Sequence, residues 1–118
     1  MIDNNEEVFN ALNSLGVTVD FNYPSKKASF PSISFWDSGH TSDDYKDGKS
    51  GIDKVETTVD VWEKADQTTG IRTKIHAEVD SKMRSEGFLR IQGVSLYESD
   101  TKIFHYQYKY VKPYEEVD

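Results

Sequence analysis

The stretch Phe88-Leu89-Arg90-Ile91-Gln92-Gly93-Val94-Ser95-Leu96-Tyr97, followed by Glu98-Ser99-Asp100-Thr101 and then by residues 103–111, decides the fold. Its first part reads as a strand, and its polar tetrad reads as a hairpin turn. The chain then returns with Phe104, Tyr106, Tyr108 and Tyr110 on one face. Two strands joined so tightly must pair antiparallel. The apolar alternation shifts at Gly93, because Val94 and Leu96 carry the pattern afterwards, and a β-bulge there accounts for the shift. Pro113 is expected to stop the returning strand, leaving an acidic tail with frayed ends.

Working outward, the segment before the hairpin predicts the main helix, running from after Thr69 to about Glu86. Ile71, Ile75, Val79 and Met83 recur every four residues beside Ala77, and Gly87 ends the run. Before it, residues 52–63 alternate as a long strand. Val55, Thr57, Val59 and Val61 share one face, and Glu56, Thr58, Asp60 and Trp62 share the other, which is too polar for a core apart from Trp62. Residues 37–51 contain one aromatic and no aliphatic side chain, so they are expected to form a long surface loop. Phe30-Pro31-Ser32-Ile33-Ser34-Phe35-Trp36 reads as a strand with proline near its start, and Val17-Thr18-Val19-Asp20-Phe21 as another. Residues 4–15 form a short helix with Val8, Phe9, Leu12 and Leu15 on one face. Asp3 or Asn4 stands at its N-cap and Gly16 follows its last apolar residue. The expected fold is therefore α+β: a single domain over residues 1–118, with one mainly antiparallel sheet of four to five strands and two helices on one face.

Composition narrows the function. The chain has 118 residues, 36% of them hydrophobic and 30% charged, so its core is thin; 13% aromatics argue against disorder. A net charge of −7 disfavours sequence-specific nucleic-acid binding, which needs a basic surface. There is no cysteine, which removes disulfides, thiolate metal sites and thiol nucleophiles. The first residues lack the basic and apolar regions of a signal peptide, and no apolar run approaches a bilayer span.

Catalytic patterns fail at named residues. Gly48-Lys49-Ser50 ends like a phosphate-binding loop, but Asp43 stands where its first glycine belongs. Asp43, Asp47 and Gly48 partly match a calcium loop, but Tyr45 and Lys54 fall at ligand positions. His40, His76 and His105 lack metal-ligand spacing, and no Gly-x-Ser-x-Gly occurs. No catalytic role, cofactor or metal is expected. Arg72, Lys74, Lys82 and Arg84 on the main helix stand beside Glu78, Asp80 and Glu86, as a solvated face of i,i+4 pairs or one side of a subunit contact. The aromatic ladder reads as core or interface, and Trp62 as a core residue or an interface anchor.

Several of these features together resemble a known family. They are the N-terminal helix, Phe30-Pro31-Ser32-Ile33-Ser34-Phe35, a hydrophilic loop and Thr58-Val59-Asp60-Val61-Trp62. A helix with Ile71, Ile75 and Val79 follows, then Gly87-Phe88 and Phe104-His105-Tyr106. This series resembles the tail terminator, tail-completion and head–tail joining proteins of long-tailed phages and prophages. The resemblance implies a hexameric ring in the virion tail, assembled in the host cytoplasm, that caps the tail tube and meets the head connector. It also implies that residues 37–51, with His40, Asp43, Asp44 and Tyr45, order against a neighbouring subunit or the tube. Trp62, Arg72, Lys74 and Arg84 would then line the subunit contact. The alternative is a monomeric protein-binding module or head–tail adaptor that uses the same loop and an exposed sheet face.

Overall fold

The computed structural model describes residues 2–22, 30–43, 51–65, 68–69 and 73–115. The elements follow in the order α1 (Asn5–Asn13), β1 (Thr18–Phe21), β2 (Ser32–Asp43), β3 (Ile52–Lys64), α2 (Ile75–Ser85), β4 (Leu89–Glu98) and β5 (Ile103–Glu115). The five strands make one sheet in the order β1-β2-β3-β5-β4. Every pairing is antiparallel except β1 with β2, which run parallel. This is the α+β fold expected, with five strands and both helices on one face.

The register explains the core. Directly paired residues share a face, so a row can be read across the sheet. Phe21, Phe35, Val59, Tyr108 and Gly93 make one such row, and Val19, Ile33, Val61, Tyr106 and Ser95 the next. These rows meet Val8 and Leu12 of α1 and Ile75, Val79 and Met83 of α2, which are buried at the periodic positions of each helix. The aromatic ladder is thus core: Tyr106, Tyr108 and Tyr110 are buried and Phe104 packs beside them. Tyr110 donates its hydroxyl to Asp80 Oδ1 at 2.8 Å, so its polar tip is satisfied. Gly93 has a packing reason to lack a side chain, since a Cβ there would stand 3.2 Å from the Tyr108 ring.

The structure corrects several expectations. Residues 37–43 are not loop. β2 continues through them, paired with β3 from Gly39–Glu56 to Asp43–Ile52. A neighbouring strand satisfies their backbone groups, so no apolar side chains are needed to hold them extended. The register shifts between Asp37 and Gly39, leaving Ser38 as the extra residue of a bulge. Residues 44–50 lie outside the described residues. The other bulge falls between Arg90 and Gln92, not at Gly93. Pro113 sits inside β5, opposite Lys54. β4 reaches only as far as Val111, so Pro113 occupies a stretch with a single neighbour, where a missing N–H is tolerated. α2 begins at Ile75, later than the spacing predicts, and Ile71 lies outside the described residues. Phe9 is 39% exposed and takes no part in the core.

Candidate functional site

The second face of the sheet carries no helix among the described residues, yet its centre is not the solvated surface its polarity suggested. Ser32, Ser34, Thr58 and Asp60 are all buried there. A buried carboxylate needs donors. Asp60 on β3 finds them one strand away on β5: Oδ1 accepts from His105 Nε2 at 2.7 Å and from Gln107 Nε2 at 3.1 Å. Because the carboxylate accepts, the imidazole presents its proton at Nε2. The His105 ring in turn stacks flat on Trp62, with centroids 4.6 Å apart and planes 10° from parallel. Trp62 is therefore held in one orientation and stays half-buried, and Trp36, opposite Thr58, is exposed on the same face. A fixed, amphipathic ring over a buried polar bed is the form of an interface anchor.

A second buried carboxylate lies on the helix side. Glu63 continues the inward alternation of Val59 and Val61 and is fully buried. It accepts from Thr73 Oγ1 at 2.7 Å, from the Ile75 amide at 2.8 Å and from the His76 amide at 3.4 Å, all at Oε1. His76 Nδ1 bonds Oε2 at 2.7 Å, and the imidazole stacks on Tyr106 with centroids 4.0 Å apart. The strand thus supplies the cap of α2, a negative charge on free N–H groups at the positive end of the dipole. This explains why the helix starts at Ile75. His76 takes Glu63 as partner in place of the neighbouring Glu78 and Asp80.

The residues singled out in the sequence do not form one patch. Trp62 stands near one end of β3; His40, opposite Val55, and Asp43, opposite Ile52, stand at the other, up to about 30 Å away at 3.3 Å per residue. His40 is exposed. Its charge offsets in part the burial that, with Asp3, raises Asp37 above the usual aspartate range. Asp44, Tyr45 and Arg72 lie outside the described residues. Lys74, at the N-cap of α2, and Arg84 on the helix are exposed, on the opposite side of the sheet from Trp62. Two of the expected i,i+4 pairs are present, Arg84 Nε to Asp80 Oδ2 at 3.1 Å and Lys82 Nζ to Glu86 Oε1 at 3.2 Å, with Arg90 joining Asp80 at 3.2 Å. A shallow groove of about 560 Å³ runs along this helix between Leu15, Lys74, Ala77, Ser81 and Ser85.

Sequence reasoning missed the exposure of β4. Leu89, Ile91, Leu96 and Tyr97 are each more than half exposed on this edge strand. The signal was present, since the broken alternation leaves apolar residues on both faces. Among the described residues, no three His, Asp or Glu side chains stand close enough to share a metal ion, and no helix is long and apolar enough to cross a membrane. Compared with models of known protein families and with curated protein sequences, the chain matches none.

Proposed function

We propose that the chain is a structural subunit of a long-tailed phage, of the tail-terminator kind it resembles. In this reading copies close into a ring that caps the tail tube and joins it to the head connector. One observation carries the reading. Trp62 and the polar face of α2 are two different presented surfaces on opposite sides of the sheet. A ring of identical subunits needs such a pair, because each copy gives one surface and receives the other. The net charge of −7 suits a channel through which DNA passes without adhering.

The test is assembly with a tail-tube protein, followed by native mass measurement and negative-stain imaging. Rings at tube ends are expected. Trp62→Ala weakens that assembly while lowering Tm by less than about 5 °C. A larger loss of Tm assigns Trp62 to folding instead. A chain that stays monomeric and never caps tubes supports the second reading, a monomeric binding module. The apolar side chains exposed along the β4 edge favour that alternative.

A further inference from the structure

β4 closes one side of the sheet, and among the described residues no strand lies along its outer edge. Edge strands of stable monomers are protected by charged side chains, prolines or bulges. Past the bulge at Ile91, from Gln92 to Tyr97, this edge has none of these, while Leu96 and Tyr97 are more than half exposed. We infer that the outer edge of β4 pairs antiparallel with β4 of a second copy, about a two-fold axis at Val94.

Charge and register name the occupant. The molecule carries −7, so most of its surface repels a copy, but β4 is neutral, with Arg90 near one end and Glu98 at the other. Antiparallel pairing centred on Val94 brings each Arg90 towards the Glu98 of the other copy and keeps like charges apart. The same register sets Val94 against itself, Gln92 against Leu96, Gly93 against Ser95 and Ile91 against Tyr97. Faces agree as well. Gln92, Val94 and Leu96 pair with the helix-free side of β5, and Gly93 and Ser95 with its core side. A register one residue away mixes the faces. The bulge turns Arg90 to the helix side, where it keeps its bond to Asp80, so its pull on Glu98 acts across the edge. This contact is isologous and a ring contact is heterologous, so the inference does not rest on the tail-terminator reading.

The chain has no cysteine, so single introduced thiols report the contact cleanly. Paired residues of antiparallel strands stand about 4.5–5.5 Å apart at Cα, within disulfide reach. Val94→Cys is expected to oxidise to a reducible dimer at least about tenfold faster than Ser95→Cys, whose thiols are offset by roughly 7–8 Å, and faster than Ser81→Cys on α2. Unmodified protein is expected to show a reversible monomer–dimer equilibrium in sedimentation velocity. Val94→Lys shifts it to monomer with an unchanged circular dichroism spectrum. A monomer at every concentration overturns the inference, as does a Val94→Cys rate no greater than that of Ser81→Cys. Faster cross-linking of Val94→Cys to a Val19→Cys partner also overturns it, because β4 then meets β1 instead.

Discussion

At the scale of single residues, two buried carboxylates organise this protein, and they do different work. Asp60 joins β3 to β5 and seats Trp62 through His105, so it prepares a surface. Glu63, the next inward-facing position after Val61, fastens α2 to the sheet. Removing Glu63 leaves two helix amides, the Thr73 hydroxyl and the His76 imidazole without their buried acceptor. Glu63→Ala is therefore expected to cost about 2–4 kcal/mol in urea denaturation at neutral pH. Glu63→Gln keeps an acceptor for the amides but sets an NH₂ group where Oε2 met Nδ1, so its cost is smaller. Equal losses for the two variants would show that the charge, and not the cap, holds α2. Glu63 was legible in principle, because strand parity points it inward with Val55, Val59 and Val61. A lone glutamate at a strand end reads as solvated unless the donors that meet it are known, and Thr73 and Ile75 arrive from ten or more residues away. The same limit hid Asp60, whose partners come from β5.

At the scale of elements, local pattern located the helices and strands, and neighbours decided where they end. Val8 and Leu12, Val79 and Met83, and the Tyr106–Tyr108–Tyr110 ladder show their periodicity in sequence and occupy the core it predicts. Residues 37–43 show none, because their strand is imposed by β3. The interior place of Pro113 depends equally on where β4 stops. A tie between distant elements, α1 and β5, gives a pH test. Lys112 Nζ bonds Glu7 Oε1, and the Tyr114 hydroxyl donates to Glu7 Oε2 at 2.6 Å. Burial pushes the Glu7 carboxyl up, but the bonds from Lys112 and Tyr114 outweigh it and hold the group below its ordinary 4.5. A carboxyl lowered by folding stabilises the folded state above its ordinary value, and the contribution is lost as pH falls through the folded value. Stability is thus expected to decline below pH 4.5 with a component that Glu7→Gln removes. Thermal melts of both proteins at stepped acid pH measure it. A decline of the same steepness in the variant would assign it to other carboxylates.

At the scale of the whole molecule, shape and charge govern how copies meet. The molecule measures 62 × 24 × 22 Å, and its radius of gyration is 16.3 Å, against about 13.5 Å for a compact chain of this length. Along the sheet, β2, β3 and β5 run on together beyond the end of β4. A long body spreads its negative charge, yet at low salt two copies with −7 each still repel over tens of ångströms, while near 0.1 M salt the reach falls to about 10 Å. Contact through the neutral, apolar edge of β4 offsets little of that repulsion, because the attraction between Arg90 and Glu98 acts only at its ends, where salt screens it. Self-association is therefore expected to tighten as sodium chloride rises from roughly 20 to 300 mM, with the gain levelling off once the Debye length is shorter than the separation of the two charge distributions. Sedimentation velocity across that series measures it. A dimer that loosens with salt would mean that opposite charges hold it. The cations of α2, Lys74 and Arg84, set against the acidic body of a second copy, would then be the self-contact in place of β4.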